Sequence, residues 1–130
     1  MSQTLDQRRA AHAWNAVENM AAPDKSKEEK DDYAGEAKKL PSRIFAAGLG
    51  QALAFIVAKT EKKTALRQLH QDITSWVVGE RPMPQARHRE SLLESVINGD
   101  SEFLRVATAE TLAYLNWLNR FAEAVGLKSK

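Results

Sequence analysis

From about residue 4 to residue 125, apolar side chains recur at three- and four-residue intervals, and no stretch alternates as a half-buried strand requires. Ala, Leu, Glu, Gln, Lys and Arg dominate between the turns, so the chain is restricted to an all-α fold. Its 130 residues give room for one core but not for two ordinary domains. The expectation is a compact single-domain bundle of about six helices spanning residues 1–130. The first helix runs from Thr4, an N-cap by type, to about Ala21, with Leu5, Ala10, Ala13, Trp14, Ala16, Val17 and Met20 on one half of its wheel. Pro23 ends it, and residues 24–32 form a charge run with no core residue, read as a solvated loop or a helix start. The second helix begins at Lys27 or Asp31 and reaches Ala47 on a Tyr33, Ala37, Leu40, Ile44, Ala47 stripe. A kink or break is expected at Pro41, and a stop at Gly48.

Residues 49–60 leave almost no polar face, which places that helix in the middle of a bundle. Residues 64–78 are amphipathic through Leu66, Leu69, Ile73, Trp76 and Val77. A loop is expected over 79–85 and a short helix over 87–97. The last helix is capped by Asp100 or Ser101 and closed by Gly126, with Phe103, Leu104, Ala107, Tyr114, Leu115, Leu118, Phe121 and Val125 on its apolar arc. Leu112 falls opposite that arc and Trp117 at its edge, where both can face a partner protein.

Charge is distributed in blocks. The net charge is +2, yet residues 1–36 hold 5 Lys/Arg against 8 Asp/Glu, residues 37–89 hold 10 against 3, and residues 90–127 hold 2 against 6. An excess of this kind in the middle of a chain suits a polyanion on one surface and a different partner on another. There is no cysteine, which excludes disulfide scaffolds and thiolate chemistry and fits a reducing compartment. No apolar run is long enough to span a membrane and the first residues lack a signal-peptide core, so a cytoplasmic location is expected.

Catalysis finds no support in the motifs. His12, His70 and His88 lie in separate segments, and none stands in a His-Glu-x-x-His spacing. There is no nucleophile elbow or Walker loop, and Gly48-Leu-Gly50 lacks the third glycine and preceding strand of a dinucleotide site. The expectation is therefore no enzyme, no metal, no cofactor and no small-molecule substrate. Anion binding fits better. Lys39 and Arg43 are four apart on one face with no acid between them, and Lys59, Lys62, Lys63 and Arg67 fall within nine residues. Between these clusters Gly48, Gly50 and Gln51 open a helix, where free N–H groups and close backbone approach suit a phosphate. Arg9 lies inside the apolar arc of the first helix, and either snorkels, reaches a carboxylate, or reaches an RNA phosphate. No base-reading motif is present, and the helix after Ala47-Gly48-Leu49 is apolar rather than the polar reader a major groove needs. Contact with a phosphate backbone is the nucleic-acid mode left.

Four pieces occur in order: Leu5-Asp-Gln-Arg-Arg-Ala-Ala-His-Ala13, Lys39-Leu-Pro41, Gly48-Leu-Gly-Gln-Ala-Leu-Ala-Phe55 and Leu115-Asn-Trp-Leu-Asn-Arg-Phe-Ala-Glu-Ala124. Together they resemble the small helical subunit of the Cmr complex, the type III-B CRISPR effector. The resemblance implies a non-enzymatic subunit present in several copies, stacked along larger backbone subunits that hold the guide RNA. Its partners would be those subunits, neighbouring copies of itself, and guide and target RNA through phosphates, with specificity left to base pairing. The sequence departs from that pattern at Ala46-Ala47, where relatives are polar, and at Asn119, where a lysine is frequent; the second removes a basic contact from the last helix. Competing readings are the small subunit of the sister type III-A complex, a helical protein–protein adaptor, and a small histidine-dependent ribonuclease.

Overall fold

The computed structural model describes residues 2–80, 83 and 88–127. Among them are six α-helices and one π-helical segment: α1 Leu5–Met20, α2 Lys27–Ala47, α3 Leu49–Ala58, α4 Thr64–Thr74, the π segment Ser75–Glu80, α5 Leu92–Asn98 and α6 Ser101–Ala124. The all-α bundle expected from periodicity is the fold observed.

Helix ends follow from local chemistry. Thr4 and Ser26 each cap a helix through a capping box, with Gln7 and Glu29 returning the second hydrogen bond. The charge run after Pro23 is thus a helix start; it adds no residue to the apolar core, although Asp31 is buried and bonded by Lys27. α6 is capped by Asp100 and ends at Gly126, whose φ of 80° lets Leu127 N–H return to the Ala122 carbonyl. α5 begins later than the expected 87–97 span, at Leu92, because its first three N–H groups are bound by side chains. Thr74 Oγ1 accepts from Leu92 N–H, His70 Nε2 from Leu93 N–H, and Ser91 Oγ from Glu94 N–H. The expected loop over 79–85 falls partly outside the described residues. Gly79 and Glu80 complete the π segment, and Arg89 ties the connection down by donating to the carbonyls of Val78 and Met83.

α2 runs unbroken through Pro41, against the expected break, and α6 supplies the reason. Proline has no N–H to give the carbonyl four residues earlier. That carbonyl, on Ala37, instead accepts from Asn119 Nδ2 at 3.0 Å. Asn119, expected only to remove a basic contact, completes the hydrogen bonding of a neighbouring helix.

α2 packs on α3, α4 and α6, and α6 packs along α1. Tyr33, Trp76, Tyr114 and Phe103 are fully buried between these helices. Leu112 and Trp117 are half-buried and pack against this core. α3 overturns another expectation. Only Leu49, Ala52, Leu53 and Ile56 are buried, while Ala54, Phe55 and Ala58 face solvent. Its missing polar face marks an exposed apolar edge, and α3 lies on the outside of the bundle.

Candidate nucleic-acid interface

The basic residues singled out in the sequence separate into three environments. Arg9 is turned inward. Its guanidinium grips the buried Glu110 through Nε and Nη2 and bonds Asp6 at 2.6 Å through Nη1. Glu110 also accepts from Trp76 Nε1 at 2.8 Å, and Asp6 from Trp117 Nε1 at 3.0 Å. The hydrogen bond to Glu110 raises the Arg9 pKa above its ordinary value. Of the readings left open for Arg9, the carboxylate is the one realised. Glu110 stands on the apolar arc of the last helix, the same signal that marked Arg9, and sequence reasoning did not single it out.

A second group gathers around Phe55. The Arg43 guanidinium lies 3.8 Å from the Phe55 ring centroid and the Lys59 ammonium 4.2 Å from it. Arg43 Nη1 is 2.8 Å from buried Glu36 Oε2, and these two atoms are outside hydrogen-bond alignment, so charge alone holds the pair. Lys39 stands one turn before Arg43 and is exposed. Arg43, Ala46, Ala47, Gln51, Ala52, Ala54 and Phe55 line an open groove of about 550 Å³. The groove is the crease between α2 and α3, which meet at Gly48 with φ 88°. Gly48 has open space beside it, but Gly50 does not. A Cβ built there would sit 3.6 Å from Val96 Cγ1, an ordinary van der Waals contact, so Gly50 lies beside α5 without the packing requiring a glycine.

Lys62 and Lys63 make the third group. They line a different groove with Ser26, Glu28, Glu29 and Asp32, where Lys63 lies 3.9 Å from Asp32. Arg67 is exposed on α4. Among the described residues, Lys39, Lys59, Lys62 and Arg67 have no carboxylate within 4.0 Å. Sequence reasoning missed the exposed Phe45, at 78% the most exposed large apolar residue, and Phe55 at 38%. The wholly apolar run that contains Phe55 was the signal for Phe55, since a helix with no polar face can also lie at an unpartnered edge.

The histidines stay apart. His12 Nδ1 lies 2.8 Å from the Tyr114 hydroxyl and Nε2 lies 3.0 Å from Ser75 Oγ. Tyr114 is fully buried, and its O–H has no other acceptor among the described residues, so Tyr114 donates to Nδ1 and Nε2–H donates to Ser75. In that tautomer His12 cannot take a proton from Ser75. Burial lowers the pKa of His12, and likewise that of His70, whose Nε2 accepts from α5. His88, Glu90 and Glu94 bring potential ligand atoms within 4.8 Å of one another, with both glutamates exposed. No helix among the described residues is long and apolar enough to cross a membrane.

The family model described as CRISPR-associated protein (Cas_Cmr5) matches residues 5–125. The chain belongs to this family. It is 35% identical over 102 residues to the CRISPR system Cmr subunit Cmr5 of Thermus thermophilus, covering 75% of this chain and 78% of that one. The crystal structure of a CRISPR-associated Cmr5 family protein from the same organism matches it with a TM-score of 0.74 at 30% identity, over 95% of this chain and 98% of the other. The match favours the Cmr family named from the four sequence pieces over its type III-A sister.

Proposed function

We propose that this chain is a non-catalytic subunit of a type III-B effector, acting in the cytoplasm as one domain that packs along larger subunits and lays a basic surface on guide and target RNA phosphates. The observation that carries the reading is the unpaired state of Lys39, Lys59, Lys62 and Arg67 across α2–α4, in a molecule whose Arg9 and Arg105 are bonded to carboxylates. Cations left without carboxylates are available to phosphates, and such contacts carry charge but no sequence information. Arg43 joins them at the rim of the crease. Lys63 contributes less, being near Asp32. Arg9, expected at the RNA, is occupied within the fold.

Phe45 supports the protein side of the reading. It follows Arg43 by two residues and so points about 200° around α2 from it, which separates an apolar contact surface from the basic one. The neutral, hydroxyl-bonded state of His12 and the occupied Nε2 of His70 support a structural rather than a catalytic role for both. The adaptor reading keeps one argument, the exposure of Phe45.

The experiment is a tagged pull-down with sequencing of co-purified RNA, comparing the native chain with K39E/K59E/R67E and with F45E. Under the proposal the native chain brings down larger CRISPR subunits and short guide RNA. The triple charge reversal loses RNA contact in a salt-dependent way, and F45E weakens the recovery of protein. Recovery of larger subunits with RNA unaffected by the charge reversal leaves the adaptor reading in its place.

A further inference from the structure

We propose that the crease between α2 and α3 seats a single unstacked nucleobase of the bound RNA, an inference that rests on the RNA-contact reading above. The crease repeats one spacing on both its walls. Arg43, Ala46 and Ala47 stand at i, i+3 and i+4 on α2, and Gln51, Ala54 and Phe55 do the same on α3. Alanine along both walls leaves flat backbone-lined sides, and the volume of about 550 Å³ lies in the range of small-molecule sites. Three features then select a nucleotide over an apolar peptide side chain. The Arg43 guanidinium carbon sits 3.8 Å over the Phe55 ring centroid and its Nη1 is 2.8 Å from Glu36, which keeps a planar cation at the crease on which a base can stack. The exposed Gln51 amide carries a donor and an acceptor for a base edge. Lys39 and Lys59 flank the crease without carboxylates of their own, while no acid lines it. A protein side chain would use the alanines and leave the plane, the amide and the cations idle.

A base held this way is selected by shape and stacking and not by identity, because alanine walls cannot tell one base from another. The seat needs an unpaired base, so it discriminates single-stranded or extruded nucleotides from a continuous duplex.

The test uses the full chain labelled with ¹⁵N and titrated with a six-nucleotide uridine strand or a twelve-base-pair RNA duplex. The native chain should show shifts at the Gln51 side-chain amide and Arg43 Nε–H with the single strand and not with the duplex. Ala54→Met, which fills the crease from an exposed position, should remove these shifts and lower single-strand affinity about ten-fold, with salt dependence unchanged. Lys59→Ala should instead reduce the salt slope by about one. Equal shifts from strand and duplex, confined to the lysines and indifferent to Ala54→Met, overturn the base seat and leave the phosphate reading standing. Absence of salt-dependent shifts anywhere overturns both. If Ala54→Met abolishes co-purification with the larger subunits while the RNA shifts at Gln51 persist in it, the crease is a protein seat and the proposal fails.

Discussion

Arg9 and Arg43 sit on neighbouring helices of one small bundle, yet their surroundings are opposite. Arg9 faces the α1–α6 seam, where Glu110, Asp6, Trp76 and Trp117 close every contact into a network, and the nearby His12 is bonded at both ring nitrogens. Arg43 faces outward beside Phe55, with one charge partner out of alignment and lysines around it that have none. The closed seam gives the fold its geometry, since buried polar groups cost free energy unless partnered. The open side contributes little to stability and is therefore free to carry function. In a chain of net charge +2, which cations are spent internally matters more than how many there are.

The comparison breaks most easily at Glu110. Glu110→Ala leaves the half-buried Arg9 and the Trp76 N–H without their shared acceptor, which should destabilise the fold by about 3–5 kcal/mol. Lys59→Ala on the open side should change stability by less than about 0.5 kcal/mol. Guanidinium denaturation of both variants measures the contrast. Comparable losses would mean that the basic side is built into the fold after all.

A smaller effect should appear at the α2–α6 contact. Asn119→Ala strands the Ala37 carbonyl that Pro41 leaves unserved, at a cost of about 1–2 kcal/mol. In a Pro41→Ala background, residue 41 regains its N–H and serves that carbonyl within the helix. Asn119→Ala should then cost much less. The double-mutant cycle reads this as a coupling between two residues that do not touch through side chains. Additive losses would show that Asn119 acts elsewhere.

Much of this contrast was open to reading from the sequence, and the rest was not for identifiable reasons. Helices and caps are local, so Thr4, Gly48, Asp100 and Gly126 could be placed from their neighbours alone. The basic clusters were also visible, because charge counts need no structure. Partnering is not local. Glu110 and Arg9 are 101 residues apart, and Asn119 and Ala37 are 82 apart, so nothing nearby in the sequence pairs them. The apolar run of α3 had two physical meanings, a buried helix or an exposed edge, and only packing chooses between them.

Acid provides the gentlest way to separate the two sides. His12 and His70 both have pKa values lowered from the ordinary 6.5, each chiefly by burial. The unfolded chain therefore binds protons at these residues before the folded one does, and stability present at neutral pH is lost as pH falls from about 6.5 through the folded pKa values. The structural reason is specific: protonation turns His12 Nδ1 and His70 Nε2 from acceptors into donors, facing the Tyr114 hydroxyl and the Leu93 N–H. Asp72 works in the other direction, since burial raises its pKa and the folded chain takes up that proton before the unfolded one does. Denaturation midpoints at pH 7.5, 6.0 and 5.0 should fall in sequence, with His70→Gln, which keeps an acceptor that does not titrate in this range, showing a shallower fall. Phosphate contact by Lys39, Lys59 and Arg67 involves neither histidine, so it should hold its affinity until the fold itself is lost. A midpoint that rises on acidification would mean that the two histidines are not held neutral, and the closed seam would have to be redrawn around charged imidazoles.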